Sequence, residues 1–523
     1  MVRHIDSTCS LADAAPGSAE EEQLRAMEAA VKQLLVNVGE DPLREGLVDT
    51  PRRVAKAWLD MTRGYRQDHK SAFGTALFHE PIVSAGSDGL VIVRDITFAA
   101  LSEHSLLPFH GRCHIAYVPR HGVVLGLSKL ARVTKCLAAR LQTQQAFTER
   151  LIAAVAEEVQ AKGVAAVVQA VHLGDGPAPA AQLSSGATGV FSDPASGRLQ
   201  EFVTLLRLSG RAAPPATSFA EQPAAAAGEQ AAAAAGEQGA AAAASSSLVQ
   251  ATDVLLQNVG EDPGRKGLKG SAARYASWLA GATSGYRMQL PCYCSGGGCS
   301  GAADGGGSGS PVAAELGPAT PDDHSPDPSD ASSDDMSAEL PCYLGMAEAA
   351  AADAAARSSA SAEAAAGAAG GARQQQAAAG LQTFSSHFSS QCEHHLLPFY
   401  GKLKLAYLPA SSSSSSSSDS SSNSGSDRAA LRLIVEMFSK RLQVQERLTH
   451  QVADAVSSAL GAAAVLVVIE SAHMCMVARG VEKHASTTLT TAARGAWAED
   501  TTARAAALEA LLDQQPHSPR KLG

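Results

Sequence analysis

The sequence carries two versions of one ten-residue segment, CEHHLLPFYG at residues 392–401 and SEHSLLPFHG at residues 102–111. The later version has a thiol and two adjacent imidazoles. The earlier one has a hydroxyl, one imidazole and a second hydroxyl at the same positions. Thiolates and imidazoles bind metal ions, whereas neutral hydroxyls are poor ligands. The pair indicates a duplicated fold in which one copy kept a metal-binding segment and the other lost it.

Other repeated segments extend the duplication over most of the chain. LLVNVGEDPLREGL at residues 34–47 returns as LLQNVGEDPGRKGL at residues 255–268, an offset of 221. The offset is 290 for the ten-residue segments, which start at 102 and 392, and 301 for RLQTQ and RLQVQ, which start at 140 and 441. The growing offset places insertions in the second copy. We therefore predict two modules, residues 20–211 and 248–515.

The rest of the chain has the composition of unpacked sequence. The insertions, at about 291–386 and 410–427, consist largely of Gly, Ser and Ala, and such segments bury too little apolar surface to offset the entropy of ordering. We predict that they are disordered. Residues 212–247 form an Ala-rich linker that is in part helical, and residues 1–19 and 516–523 form a flexible N-terminus and a tail.

Composition limits the function classes. The net charge of −10 over 523 residues argues against a general binder of nucleic acid or membrane surfaces. Nine cysteines without a regular framework favour a reducing compartment. No apolar run approaches the roughly 18 residues of a membrane span, and the N-terminus has no apolar signal core. We expect a cytoplasmic protein without nucleic-acid or membrane partners.

Hydrophobic periodicity predicts an α+β module with two helices, a strand pair, two further helices and a returning strand pair. Thr50 followed by Pro51 is a typical helix start. In the first module the predicted helices are residues 19–39, 50–65, 126–141 and 143–163, and the predicted strands are residues 89–101, 112–119 and 164–173. The second module has no clear first strand, since the polar sequence LQTFSSHFSSQ stands at residues 381–391.

A possible metal site lies in the second module. Cys392 and His395 are three residues apart, and Cys475 shares one face of a later predicted strand with His473. Two thiolates and one imidazole suit zinc and leave a fourth position for water, as in catalytic sites. His394 and His473 could then move protons near neutral pH. The alternative is that the thiols are buried apolar groups and the histidines are surface residues.

The sequence resembles GTP cyclohydrolase I. The segments that carry the resemblance are CEHHLLPFYGKLKLAYLP, KRLQVQERLT and AHMCMVARG in the second module and GEDPLREGLVDTPRRVAKAW, VRDITF and VLGLSKLAR in the first. The resemblance covers nearly all of both modules and none of the linker or insertions. It implies the T-fold, an antiparallel sheet with helices on one face, in subunits that form rings. It also implies opening of the guanine ring of GTP to 7,8-dihydroneopterin triphosphate and formate.

By this resemblance, the second module keeps most of the family's site. Its matching residues are the zinc ligands Cys392, His395 and Cys475, the acid–base residues His394 and His473, the guanine-binding residues Gln445 and Glu446, and the triphosphate-binding Arg479. The family's Ser-Lys pair, however, falls on Ala429 and Ala430, and its arginine falls on Arg432 or Leu433. The second module has therefore lost a phosphate clamp and the serine that contacts the ribose.

The first module keeps the residues that the second has lost and lacks those that the second has kept. Ser128, Lys129 and Arg132 of the clamp are intact, with Ser128 placed to hold the ribose. The matching ligand positions are Ser102, Ser105 and Gly174, the guanine-binding glutamate is Gln145, and no arginine matches Arg479. Because the losses do not overlap, we hypothesise a composite site that combines the metal centre of module two with the clamp of module one. Alternatively, Lys129 and Arg132 are only an exposed charged face.

Three questions stay open at this point. Arg53 and Arg274 both match a further phosphate-binding arginine, and either could instead be a solvated helix residue. The cysteines of the first insertion, Cys292, Cys294, Cys299 and Cys342, could form a second metal site or have no role. The chain could also be a non-catalytic partner in mixed rings, or a related T-fold enzyme like the nitrile reductases, although no nucleotide-cofactor motif is present.

Overall fold

The computed structural model of the chain describes residues 18–74, 77–79, 90–120, 123–174, 179–208, 210–211, 246–289, 380–409, 420–479 and 486–512. The predicted N-terminal segment up to residue 17, nearly all of the linker, most of both insertions with their cysteines, and the tail lie outside these residues. Among the described residues, every helix is too short or too polar to span a lipid bilayer.

The first module has the predicted order of elements, with short additions. Its helices are α1 (Ala19–Asn37), α2 (Thr50–Met61), α3 (His69–Phe73), α4 (Leu127–Ala138), α5 (Gln144–Val159) and α6 (Arg198–Leu208). Its strands are β1 (Leu77–His79), β2 (Val91–Ser102), β3 (Pro108–Val118), β4 (Val123–Leu125), β5 (Leu141–Gln142), β6 (Gly163–His172) and β7 (Ala180–Gly189). As predicted, Pro51 stands in the first turn of α2.

The second module repeats this order. Its helices are α7 (Ser246–Asn258), α8 (Ser271–Ala282), α9 (Ser420–Ser439), α10 (Gln445–Leu460), α11 (Met474–Val477), α12 (Ala496–Glu499) and α13 (Thr501–Leu512). Its strands are β8 (Gln382–Cys392), β9 (Pro398–Leu408), β10 (Leu442–Gln443), β11 (Ala464–His473) and β12 (Thr488–Gly495).

Each module is built on a five-stranded sheet. The orders are β5-β2-β3-β6-β7 and β10-β8-β9-β11-β12, so the two sheets have the same topology. The four long strands of each sheet are antiparallel, and the two-residue strand at one edge pairs in parallel with its neighbour. The predicted α+β class with two tandem modules is confirmed.

Two elements start inside the segments that we expected to be disordered. β8 begins at Gln382, where its serine-rich sequence alternates with buried Phe384 and Phe388 and pairs with β9 along its whole length. α9 begins at Ser420. The predicted ends of the insertions, at about 386 and 427, were therefore too late. Low-complexity composition obscured a strand whose inward face carries only two aromatic side chains.

Each sheet packs against the two long helices that follow its second strand. In the first module, α4 and α5 cover one face through buried residues such as Leu130 and Phe147. In the second module, α9 and α10 do the same through Leu431 and Leu448. α6 and α13 cover the other face at one end of their sheets. These layers hold the strand ends at which the candidate site lies.

The two modules share a further core. α1 and α2 pack against α7 and α8, and this cluster extends to residues at the ends of both sheets, among them Leu106, Leu396 and Met474. Trp58 of α2 meets Tyr275 of α8 edge to face, with ring centroids 6.1 Å apart. The first helices of each module therefore lie at the boundary between the modules and reach the sheet of the other.

One buried and one half-buried histidine of the first module predict acid sensitivity. Burial lowers the pKa of His114 to about 4, despite nearby Asp95, and burial lowers that of His172 to about 4. An unfolded histidine titrates near about 6.5. Each histidine therefore contributes up to about 3 kcal/mol to the free energy of unfolding. This contribution is fully present above about pH 6.5 and is lost as the pH falls to about 4.

We expect His114→Gln to reduce this acid sensitivity. The melting temperature of the wild type should fall between about pH 7 and pH 5, and it should fall less in the variant, because glutamine does not titrate there. His450→Gln, at an exposed position, is the control and should follow the wild type. Thermal unfolding monitored by circular dichroism gives the comparison. Equal falls in His114→Gln and the wild type would exclude this role for His114.

Candidate active site

The structure brings Cys392, His395 and Cys475 together at one end of the second sheet. Cys392 ends β8, and Cys475 follows β11 in the short helix α11. One ligand atom from each of the three residues lies within 4.8 Å of the others. The Cys392 sulfur is 3.9 Å from Nδ1 of His395, close to the sulfur–nitrogen separation of about 3.6 Å around tetrahedral zinc. The donor set and its spacing fit a zinc ion with an open fourth position.

The two thiols of the triad differ in pKa. A hydrogen bond from Cys475, together with those from His394 and His395, holds the pKa of Cys392 well below its usual range despite burial. The same contact with Cys392, and burial, raise the pKa of the Cys475 thiol. Cys392 is thus ready to bind as a thiolate, whereas Cys475 becomes a thiolate when a metal displaces its proton.

His473 is fixed by Gln445. Its Nε2 lies 2.7 Å from the Gln445 side-chain oxygen, and its ring stacks on Phe399 with centroids 4.7 Å apart. The Gln445 amide nitrogen donates to the carbonyl oxygens of Ile469 and Thr488. The side-chain oxygen therefore accepts the proton of Nε2, which leaves Nδ1 as the basic ring nitrogen. Burial lowers the pKa of His473, which favours the neutral ring.

This arrangement changes what Gln445 can do. Its side-chain oxygen also accepts a hydrogen bond from Ser471 at 2.6 Å, so the amide is fully used inside the protein. Gln144 makes the same bond to His172 in the first module, at 2.7 Å. A contact between Gln445 and a base would have to use its main chain. Its neighbour Glu446 is exposed and lies near enough to His473 to act on its pKa.

His394 and Arg53 lie beside the triad, although Arg53 belongs to the first module. A hydrogen bond to Cys392 raises the pKa of His394, and the charge of Arg53 opposes this rise. Arg274, the counterpart of Arg53, instead donates from Nε to the carbonyl oxygen of His104 at 2.9 Å. The structure therefore distinguishes the two arginines: the charge of Arg53 acts on His394 of the metal-binding segment, whereas Arg274 contacts the altered copy.

Arg479 also reaches the triad. Its Nη2 lies 2.7 Å from Nε2 of His395, and its buried Nε has no hydrogen-bond partner among the described residues. Burial lowers the pKa of His395, and the charge of Arg479 lowers it further, against the effect of Cys392. The ring is thus kept neutral, which is the form that binds a metal. A guanidinium held here could also meet an anionic ligand.

The equivalent place in the first module is a turn without metal ligands. The Ser102 hydroxyl accepts hydrogen bonds from the main-chain N–H groups of His104 and Ser105, at 3.2 and 3.3 Å. Gly174 offers no side chain at the position of Cys475. Within the described residues, the triad of the second module is the only group of three potential ligands. The hydroxyls thus stabilise the turn that thiolate and imidazole use for a metal in the other copy.

The phosphate clamp lies at the start of α4 in the first module, whereas the triad lies at the strand ends of the second. Ser128 and Arg132 are exposed near the start of α4, and the Lys129 ammonium lies over Gly74. None of the three side chains forms a hydrogen bond or ion pair with the described residues. A small cavity lined by Lys135 and Ala478, among others, is where this helix approaches the second module.

The burial pattern settles one register that the sequence left open. Leu130 and Val133 are buried under the first sheet, and Leu431 and Ile434 are buried under the second in the same way. This alignment places Leu433, not Arg432, at the position of Arg132. No basic residue therefore replaces the clamp arginine in the second module.

Sequence reasoning missed two residues that support the site. Glu393, between Cys392 and His394, is 1% exposed, and its carboxylate forms two hydrogen bonds of 2.8 Å with Arg447. A signal was present: the first copy keeps the glutamate as Glu103 but has Ala146 at the position of Arg447. The pairing was lost in the copy that lost its metal ligands.

Comparisons with known proteins agree with this geometry. A family model described as GTP cyclohydrolase I matches residues 27–175 and 374–512. The chain is 30% identical to GTP cyclohydrolase 1 of Arabidopsis thaliana over 505 residues, which covers 93% of this chain and 90% of that protein. For GTP cyclohydrolase 1 of Solanum lycopersicum the identity is also 30%, over 93% of this chain and 92% of that protein. GTP cyclohydrolase 1 of Bacillus subtilis is 41% identical over 179 residues, 33% of this chain and 91% of that protein.

Proposed function

The chain belongs to the GTP cyclohydrolase I family, and on that premise we propose that it opens the guanine ring of GTP in a zinc-dependent hydrolysis. The products would be 7,8-dihydroneopterin triphosphate and formate, in the first step of pterin and folate biosynthesis. The observation that carries the proposal is the convergence of Cys392, His395 and Cys475 beside two histidines and two arginines. Such a set serves hydrolysis of a phosphorylated substrate.

Cys392, His395 and Cys475 would hold the zinc ion. When bound, zinc would activate a water molecule for attack on C8 of the base. His394 has a raised pKa through its hydrogen bond to Cys392, so it would carry a proton for the ring nitrogen as the C–N bond opens. His473, with Nε2 committed to Gln445, would exchange a proton at Nδ1 during opening of the ribose.

Base and phosphates would be bound by charged groups around this centre. The Glu446 carboxylate would accept hydrogen bonds from the N–H groups of guanine, with the main chain of Gln445 assisting at the start of α10. No side chain caps that helix start, since Val444 stands there, whereas Thr143 caps α5. Arg479 and Arg53 would bind the triphosphate, because guanidinium groups match phosphate oxygens in pairs.

The remaining part of the site would come from the first module of another copy. Ser128 would hold the ribose, and Lys129 and Arg132 would bind the triphosphate. Assembly is supported by the sheet edges: β7 and β12 end their sheets, and each exposes a leucine at the same position, Leu183 and Leu489. A strand at the open edge of a sheet favours pairing with another strand. The ring-shaped homo-oligomer, the module limits and a cytoplasmic location stay predictions.

We expect Glu446→Gln to reduce turnover of GTP by about tenfold in kcat/KM, because a charged hydrogen bond to the base becomes a neutral one. Fluorescence of the oxidised pterin product, formed from GTP, measures the rate. Gln145→Glu, at the same position of the first module, is the matched control and should leave the rate unchanged. Wild-type protein that binds zinc but forms no pterin would contradict the proposed activity and favour the non-catalytic partner.

A further inference from the structure

The metal-binding turn has a carboxylate built into it that the proposed chemistry does not use. Glu393 lies between Cys392 and His394, and its side chain is 2% exposed. Both of its oxygens are bound: Arg447 contacts each of them at 2.8 Å, and Arg44 contacts Oε2 at 2.8 Å. Hydrogen bonds from Arg447 and Arg44 hold the pKa of Glu393 below its usual range, although burial opposes them. A buried charge needs such partners.

One of these two arginines crosses the module boundary. Arg447 stands in the first turn of α10 in the second module, whereas Arg44 belongs to the first module, just before α2. Arg44 is itself held by Glu40, with contacts of 2.8 and 3.2 Å. The Thr50 hydroxyl, also from the first module, donates to the carbonyl oxygen of Glu393 at 2.8 Å. Residues of the first module thus contact both the main chain and the side chain of Glu393.

These contacts leave little space at the boundary between the modules. A Cβ atom at Gly46 would lie 2.8 Å from both the Arg44 guanidinium and the Glu393 carboxylate. The turn that follows is also tight, since Leu396 has a φ of 50° and its N–H donates to the carbonyl oxygen of Cys392 at 2.9 Å. A movement of Glu393 would therefore move its neighbour Cys392 and the turn that presents His395.

An equivalent contact with the roles of the modules exchanged lies at the altered copy of the segment, where there is no metal site. Arg265 of the second module pairs with Glu103 of the first, and the Ser271 hydroxyl donates to the Glu103 carbonyl oxygen. Arg265 is held by Glu261 as Arg44 is held by Glu40. Only the second arginine is missing, because Ala146 replaces Arg447. This copy provides an internal control: one contact supports metal ligands and the other supports Ser102 and Ser105.

We propose that Arg44 is a positioning residue, which acts across the module boundary through Glu393 to fix the turn that carries Cys392 and His395. Its effect on turnover rests on the proposed function, whereas its effect on the turn does not. Residues that orient metal ligands typically change metal affinity or activity by about 10–100-fold when they are removed. Arg44 shares its task with Arg447, so its removal belongs near the lower end of that range.

The test compares Arg44→Ala with Arg265→Ala in the full chain. Each change removes one arginine–glutamate pair at the boundary, so both variants should show similar falls in melting temperature. Zinc affinity, measured by competition with a chromophoric chelator, should fall about tenfold in Arg44→Ala and stay unchanged in Arg265→Ala. In zinc-free protein, amide hydrogen exchange should quicken around residues 392–397 in Arg44→Ala and around residues 102–107 in Arg265→Ala.

Two further variants keep the test decisive if Arg44→Ala does not fold. Arg44→Lys retains one charged contact with Glu393 and should recover part of the zinc affinity. Gly46→Ala should reproduce the loss by displacing the pair. Wild-type zinc affinity and exchange in Arg44→Ala, or an equal loss of zinc in Arg265→Ala, would overturn the positioning role. Wild-type protein without zinc binding and without pterin formation would instead overturn the proposed function, and the exchange data would still decide the role of Arg44.

Discussion

Cys475→Ser is expected to abolish both zinc binding and turnover of GTP. The triad offers three protein ligands within 4.8 Å, and a serine hydroxyl cannot replace a thiolate as a zinc ligand near neutral pH. Loss of groups that merely support ligands typically costs about 10–100-fold, so loss of a ligand itself should cost more than about a hundredfold in kcat/KM. Metal analysis of the purified variant and the fluorescent pterin assay measure the two effects.

The same experiment tests the asymmetry of the two modules. Wild-type protein should contain one zinc ion per chain, not two, because the first module has Ser102, Ser105 and Gly174 at the ligand positions. Cys136→Ser, a change of thiol outside the triad, is the control and should retain zinc and activity. A second zinc per chain, or a Cys475→Ser protein that keeps its zinc, would show that the metal is bound elsewhere.

Local periodicity was enough to predict most elements of the first module. Alternation of apolar residues predicted the long strands, and Thr50 with Pro51 predicted the start of α2, because these signals depend only on neighbours in sequence. The strand β8 stayed uncertain from the sequence because its outward positions are polar and its inward face shows only two large apolar residues, Phe384 and Phe388. A strand of this composition becomes recognisable only when its partner β9 supplies the other half of its hydrogen bonds.

The candidate site was predicted in part, and the missing part is non-local. Spacing of Cys392 and His395 with a later Cys475 indicated the metal ligands, and the resemblance named the histidines. The choice between Arg53 and Arg274 needed the packing of α1 and α2 against the other module, which leaves no periodic signal in the sequence. The role of Gln445 was also hidden, because its amide partners lie in two later strands.

Lys129→Ala is expected to leave zinc binding intact and to reduce kcat/KM for GTP by about 10–150-fold. The lysine is intact only in the first module, where its ammonium group lies near the start of α4, and the second module has the buried Ala430 at this position. A charged hydrogen bond to a phosphate is worth about 1.5–3 kcal/mol, which corresponds to this loss. Parallel measurements of zinc content and of pterin formation separate the two modules' contributions.

The control is Lys440→Ala, which removes a half-exposed lysine just after α9 that pairs only with Glu436 one turn away among the described residues. It should leave turnover unchanged, since surface pairs of this kind contribute little. Mixing provides the sharper test. Lys129→Ala and Cys475→Ser chains, each impaired alone, should regain part of the activity when they assemble together, because some sites then combine an intact triad with an intact clamp. Full activity of Lys129→Ala alone, or of residues 248–515 expressed alone, would mean that the triad needs no clamp from the first module.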